Sequence, residues 1–536
     1  MSGSRVLLQP VLEPSEYRAL DAFASAHRGR EALPEIAAFL AEHFGVEFTL
    51  DHDIVAGFAQ DSSNLPGSAQ ALCRPSSERE CAVALRACRR AGIPVTISGG
   101  RTNLTGSATP SEGLVLSTAK MLTPEPALDA GARSVAAPVG IPLEDLREFV
   151  LRRSGRALVF PVDPTSRKEA WLGGALACNA SGFTPGETGA IRAWVEGVRF
   201  LLPDGLLVEA RRGEWVSENG AFTLAGAGSE TRWPVPSYPR PRIKNAGGPW
   251  SAPDGRADFI DLVVGSERIF GLVTACRLRL MPRVPDHLDF FISLPGEAEA
   301  IRLLMHVSEK LGNDPGALSA FEYFGVNCRH AMLHEDRFFR GADQVGVYIQ
   351  APLREPDPGP AAEQWLEIFS GAGCGIDADK VLMLDTDALR TLFFEARHSL
   401  PANALEIVKK RGTHTIMTDT VVPRGRFKEF IEFTHGRLAA EKLEYVAFGH
   451  LGDCHLHFTI LPDKDSVQRA VDVYDGIVAK SADLGGVYSG EHGTGKRKRR
   501  DFLRCYGQAA VEQVRRSKAA LDPEFLLNRG NVVTPS

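Results

Sequence analysis

Ser98-Gly99-Gly100-Arg101-Thr102-Asn103-Leu104-Thr105-Gly106-Ser107 follows directly on a short apolar run, Pro94-Val95-Thr96-Ile97, that reads as a strand. Ahead of both, Glu78 to Ala91 places Val83, Leu85, Ala87 and Cys88 on or near one side at helical spacing, carries arginines at its end, and stops at Gly92. A glycine-rich turn after such a strand can point successive backbone N–H groups into one concavity that binds phosphate. A plain tight turn has the same composition. The dinucleotide fingerprint Gly-x-Gly-x-x-Gly is missing from this strand–turn–helix context, which disfavours a Rossmann domain.

Three more segments share this character. Gly173-Gly174-Ala175-Leu176-Ala177-Cys178-Asn179-Ala180-Ser181-Gly182 is packed with small residues and permits close backbone approach. Val195 to Gly205 reads as a strand and turn, and Val263 to Thr274 as a glycine-framed loop entering a strand. The chain around them has 536 residues, too many for one core, and implies two or three domains. With a net charge of −6 it has no overall basic field that would argue for nucleic acid. No uninterrupted apolar run reaches the roughly 18 residues of a membrane span, and Met1 to Leu8 lacks the apolar core of a signal peptide. Nine cysteines are scattered without a Cys-x-x-Cys pair, which argues against an iron–sulfur cluster or zinc knuckle and fits free thiols in a reducing cytosol.

In this order the segments resemble the FAD-binding domain of the p-cresol methylhydroxylase/vanillyl-alcohol oxidase superfamily. Pro161-Val162-Asp163-Pro164, Ile243-Lys244-Asn245-Ala246-Gly247-Gly248 and the ending Leu521 to Gly530 match further family motifs. The resemblance implies an α+β fold: an FAD-binding domain of two subdomains and a cap domain made of an antiparallel sheet with covering helices. The expected limits are a helical segment over 1–47, the FAD-binding domain over 48–285, the cap over 286–480, and a segment over 481–536 that returns to complete the active site. It also implies flavin contacts from Ser98, Gly99, Gly100, Arg101, Thr102, Asn103, Leu104, Gly106, Ser107, Pro161, Asp163, Gly173, Gly174, Asn179, Ser181, Gly182, Glu267, Ile269, Gly271, Val273 and Asn528. The phosphate loop lacks the histidine through which some members attach the flavin, so non-covalent FAD is expected. Two residues depart from the family pattern: Arg268 stands where glycine is usual, and Arg101 sits inside the phosphate loop.

The C-terminal part holds the second signal, Gly449-His450-Leu451-Gly452-Asp453-Cys454-His455-Leu456-His457 and, farther on, Gly490-Glu491-His492-Gly493-Thr494-Gly495. Imidazoles this dense, followed by an adjoining acid and imidazole, suit a site where a divalent metal holds an oxygen substrate and a base takes a proton. The pair of motifs resembles the D-2-hydroxyacid dehydrogenase branch of the superfamily, whose members act on D-lactate, glycolate or D-2-hydroxyglutarate. That resemblance assigns His450, His457 and Glu491 as metal ligands, with Zn²⁺, Mn²⁺ or Fe²⁺ suited to the set. It assigns His492 as base and Arg397 as the grip on the substrate carboxylate. His455, where the family has asparagine, is left as a spare ligand, an outer donor or a substrate contact. Thr459 is a further expected substrate contact.

Members that accept dicarboxylates tend to carry lysine where this chain has Met417 and asparagine where it has Thr459. A second carboxylate would then be buried unpaired, so a D-lactate-like monocarboxylate is expected. The implied partners are a 2-hydroxy acid and an electron acceptor (quinone, cytochrome or flavoprotein), with a homodimer compatible. The implied location is the cytoplasm or the periphery of the inner membrane. The alternatives are an oxidase of the same fold, a D-2-hydroxyglutarate or glycolate dehydrogenase, a non-redox transferase like alkylglycerone-phosphate synthase, and a binding or assembly subunit that keeps the fold without turnover. Lys496-Arg497-Lys498-Arg499-Arg500 reads as a solvated helix start or, more sharply, a docking patch for an acidic partner or membrane.

Overall fold

The computed structural model describes residues 3–226, 228–325 and 327–535. The helix Glu78–Ala91 forms as the sequence predicts: the Ser77 side chain accepts from the Glu80 N–H at its start, and Gly92 closes it at φ 70°. It packs on a four-stranded sheet in the order Phe48–Thr49, Ala71–Cys73, Leu114–Ser117, Val95–Ser98, whose last three strands run parallel. The strand Val95–Ser98 ends the sheet and delivers its last residue to the 98–107 loop.

Residues 3–47 are built into the same core, and they are not helical throughout, since Arg5–Leu7 is a strand paired with Ala221–Gly226. The helices Pro14–Ala26 and Leu33–Phe44 bury Leu20, Ala24, Ile36 and Leu40 in the apolar cluster that holds Leu85 and Cys88. Arg86 clamps Asp21 at 2.6 Å from the facing helix. A second, antiparallel sheet follows in the order Leu207–Arg211, Val195–Leu201, Leu272–Arg279, Ser134–Pro138, Ala127–Asp129. The 173–182 and 263–271 segments connect strands of this second sheet and lie against each other, the Gly265 N–H donating to Leu176 O and that of Glu267 to Ala177 O, both at 2.8 Å.

A seven-stranded antiparallel sheet makes the remaining layer, in the order Val381–Met383, Asp286–Leu294, Val345–Leu353, Ala320–Phe324, Tyr445–His450, His455–Ile460, Ile416–Met417. Successive strand side chains face opposite ways. Phe290, Ile292 and Leu294 therefore join one buried cluster with the helices Glu297–Lys310, Phe427–Ala440 and Val467–Asp483. Phe291 joins another with the helix Asp387–Arg411. The helix Arg499–Leu521 then leads back to the first sheet, where the Val95 N–H donates to Leu526 O at 2.9 Å. No helix among the described residues is long and apolar enough to cross a membrane.

Candidate active site

The strands Tyr445–His450 and His455–Ile460 form a hairpin whose connection, Leu451–Asp453 with Cys454 at φ 54°, pairs His450 directly opposite His455. The turn thus folds His450 back beside the second strand. The Gly490–Gly495 loop lies over this hairpin. Asp419 accepts from the backbone N–H of His492 at 3.1 Å, and Glu267 accepts from those of Thr494 and Gly495, both at 2.7 Å.

Three enclosed carboxylates organise the charges, and each has its own cation and its own imidazole. Glu322 meets Arg397 at 2.6 Å and His450 Nδ1 at 2.6 Å. Asp419, wholly buried, meets Lys498 at 2.7 Å, His455 Nε2 at 2.9 Å and His492 Nδ1 at 3.4 Å. Glu491 meets Lys244 at 3.4 Å, His457 Nε2 at 3.1 Å and His450 Nε2 at 3.3 Å. Burial alone would raise these acids. His450 and Arg397 instead draw Glu322 down to about 2, His492, Lys498 and His455 hold Asp419 low, and Lys244 and His450 hold Glu491 low. The imidazoles divide by the same logic. Burial would depress His450, but the Glu322 carboxylate lifts it to about 9. Burial wins at His492, lowered to about 4, and at His455, lowered to about 3, which favours their neutral forms.

His450, His455, His457 and Glu491 each offer a ligand atom within 4.8 Å of the others. The outer nitrogens of two are engaged: His450 Nδ1 by Glu322 and His457 Nδ1 by Thr418 O at 3.1 Å. Fixing one ring nitrogen in this way orients the other for a metal. His455 is fully buried and bonded to Asp419, and its Nδ1 has no partner among the described residues.

One cavity of about 580 Å³ runs from the glycine-rich loop to this cluster, within the usual range for a cofactor or ligand site. Its near end is walled by backbone. A Cβ on Gly100 would stand 2.1 Å from Glu169 O, and one on Gly182 1.9 Å from Asp163 Oδ1. These contacts leave no room for side chains and bring the main chain to the cavity surface. Its far end is lined by Arg397, His398, Met417, Phe448, His450, His457, Glu491 and His492.

Comparison with known proteins agrees with this layout. A family model for an FAD binding domain matches residues 69–211, and one for the C-terminal domain of FAD linked oxidases matches residues 346–532. Two separate stretches of the chain thus match an FAD binding domain and the C-terminal domain of FAD linked oxidases. It is 25% identical to a D-lactate dehydrogenase of Anaerostipes hadrus, over 95% of this chain and 99% of the relative. It is 26% identical to the mitochondrial D-2-hydroxyglutarate dehydrogenase of Bos taurus, over 86% of this chain and 76% of the relative. The structure of p-cresol methylhydroxylase superposes with a TM-score of 0.66 at 13% identity, covering 98% of this chain and 99% of that one. That likeness concerns the fold, and it is the p-cresol methylhydroxylase type expected from the glycine motifs.

Of the expected flavin contacts, Gly99, Gly100, Arg101, Thr102, Asn103, Leu104, Ser107, Asp163, Gly174, Ser181, Gly182, Glu267 and Asn528 line the cavity. Ser98, Gly106, Pro161, Gly173, Asn179, Ile269, Gly271 and Val273 are not among its lining residues. Several of these support the wall: a Cβ on Gly173 would meet Val139, one on Gly271 would meet Leu201 O, and Asn179 Oδ1 accepts from the Arg192 N–H. Arg101 turns its guanidinium to Gly57 O and over the Phe58 ring, 4.6 Å away, so its charge leaves the loop. Thr459 and His455 do not line the cavity; Met417, paired across from Thr459, does.

Most of the basic run 496–500 is engaged within the fold rather than forming one solvated face. Lys498 is buried on Asp419, Arg497 donates to Ser63 O at 2.6 Å, Arg499 to Gly530 O at 3.1 Å, and Lys496 to Ser111 Oγ at 3.0 Å. Arg497 and Arg500 are exposed, while Lys496 and Arg499 are half-buried. The chain's return to the FAD domain brings these acceptors to the run. Asp419, Glu322, Lys244 and Lys498 are the site residues that sequence reasoning did not assign. For one of them a signal existed, since Lys244 sits in the Ile243–Gly248 segment that matches a family motif.

Proposed function

We propose that the chain is an FAD-dependent dehydrogenase that oxidises a D-2-hydroxy acid, a D-lactate-like monocarboxylate, to the 2-oxo acid. The observation that supports this most is the single cavity joining a glycine-walled cofactor cradle to a carboxylate grip and an imidazole base. In this reading residues 48–285 with 481–536 hold the flavin and residues 286–480 cap the substrate, with residues 1–47 buttressing the first sheet. Backbone at Gly99, Gly100, Thr102 and Asn103, and the walls at Gly174, Ser181 and Gly182, would hold FAD without a covalent bond. When bound, it accepts the hydride from C2 of the substrate.

Arg397, already oriented by Glu322 and stacked 4.4 Å over Phe183, presents its remaining donors to the substrate carboxylate. His492 takes the hydroxyl proton at Nε2, because Asp419 holds Nδ1. The donor set of His450, His457 and Glu491 would fit a divalent cation, Zn²⁺ or Mn²⁺ or Fe²⁺, in spacing and outer support, with His450 giving up its proton to the ion. Such an ion lowers the pKa of a bound hydroxyl. Met417 at the cavity wall supplies no charge for a distal carboxylate, which supports a monocarboxylate. Electrons pass on to a quinone, a cytochrome or a flavoprotein rather than to oxygen.

The test is anaerobic mixing of purified protein with D-lactate, L-lactate, D-malate and D-2-hydroxyglutarate. D-lactate should bleach the flavin fastest. No bleaching by any D-2-hydroxy acid would sink the reading, and preference for a dicarboxylate would overturn the substrate choice. Aerobic peroxide release matched to turnover would make the protein an oxidase instead.

A further inference from the structure

Arg268 occupies the position where the superfamily pattern carries glycine, and its backbone keeps the left-handed shape that glycine favours, φ 62° after Glu267 at φ 51°. A side chain there costs strain that glycine would not. The arginine is 93% buried, its exposure being 7%. Its Nη1 donates to Ile97 O at 2.9 Å, and its Nη2 has no partner among the described residues. No carboxylate among the described residues lies within ion-pair distance of it, and burial lowers its pKa to about 10. The adjoining Glu267 is committed to the Thr494 and Gly495 N–H groups. Arg192, also buried without a carboxylate partner, is by contrast stacked 4.7 Å over Trp250 and bonded to Val264 O at 2.5 Å.

The place of this lone cation indicates its counter-ion. Arg268 lines the cavity, with Nη2 only 3.3 Å from where a Cβ of Gly99 would stand and Gly174 3.5 Å from the same point. The guanidinium therefore sits in the cleft between the two glycine segments, beside the 98–103 turn. Backbone N–H groups at a glycine turn and a guanidinium fork both suit phosphate oxygens. We propose that Arg268 is a charge clamp on the diphosphate of FAD, added in this chain to the backbone cradle. A guanidinium turned instead to the flavin ring would act on riboflavin as strongly as on FAD. The clamp rests on the FAD domain and not on the substrate reading, so its failure would leave that reading untouched.

Arg268→Gly separates a ligand contact from a structural one, because it relieves the left-handed strain and leaves Ile97 O with a second donor, Asn528 Nδ2 at 3.4 Å. Full-length holoenzyme is diluted and released FAD is read by fluorescence, with displacement titrations by ADP and by riboflavin. R268G should bind FAD and ADP about 10- to 100-fold more weakly, the size of a charge-assisted hydrogen bond, and riboflavin within about twofold of wild type. Its melting temperature without flavin should be unchanged or higher. Arg268→Lys, which keeps the charge but loses the fork, should lose less FAD affinity than R268G. Unchanged FAD affinity in both variants would overturn the proposal. So would equal weakening of riboflavin and FAD, or a lowered flavin-free melting temperature with all three ligands weakened alike.

Discussion

The two ends of the cavity are made by opposite means. At the flavin end the wall is main chain and small residues, held by close approach: Gly100 on Glu169 O and Gly182 on Asp163. At the acid end the wall is a set of side-chain ions, in which Glu322, Asp419 and Glu491 each bind a cation and an imidazole. Shape specifies the first and paired charge the second. The difference teaches how each end fails. A wall of close contacts fails when an atom is added, and a charge network fails when one is removed.

Four experiments can break or sharpen this contrast. The largest effect is expected at the acid end, where His492→Ala should lower the rate of anaerobic flavin reduction about 10²- to 10⁴-fold while FAD content stays that of wild type. A matching loss of FAD would show that the two ends are not separable. Next, Asp419→Asn leaves Lys498 buried without its anion and should cost about 3–5 kcal/mol of stability by urea unfolding. A loss below about 1 kcal/mol would mean that the network is looser than its geometry. At the flavin end, Gly182→Ala must push against Asp163 and should cost about 1–3 kcal/mol, with loss of the flavin absorbance band. Retained flavin would show that this wall yields.

The smallest effect concerns Glu267, which joins the ends. Burial raises its pKa to about 7 against the lowering by the Thr494 and Gly495 N–H groups. A carboxyl raised in the folded state contributes stability that is full below its ordinary value and lost as pH rises through about 7. The melting temperature of wild type minus that of Glu267→Gln should therefore fall by about a degree or two between pH 5 and 8. A difference that rises with pH would show the carboxylate to be the favoured form.

The same contrast explains what could be read from the chain alone. Glycine walls are written in short contiguous stretches, so 98–107 and 173–182 pointed to the cradle and the fold directly. The hairpin imidazoles and the Glu491–His492 pair were legible for the same reason. The ion pairs were not, because their members lie far apart: Lys498 is 79 residues from Asp419, and Lys244 is 247 from Glu491. A local view of Lys496 to Arg500 sees only a basic run and cannot see the acceptors on Ser63, Ser111 and Gly530. His455 shows the limit of a local motif. The motif left it as a spare ligand, an outer donor or a substrate contact, and the buried Asp419, 36 residues away in the chain, takes its Nε2.

Asn528 lies alongside a strand made far earlier in the chain, its side chain accepting from the Ile97 N–H at 3.1 Å across 431 residues. The strand Val95–Ser98 is the end of its sheet, and the 526–528 segment is what lies along that open edge. During synthesis the first sheet is therefore made long before its cover. An uncovered edge is a template for pairing with other chains. The nascent protein then passes through a period in which this sheet edge is open to pairing. That period ends only when residues near 528 emerge, so slowed translation late in the message should favour aggregation more than the same delay early.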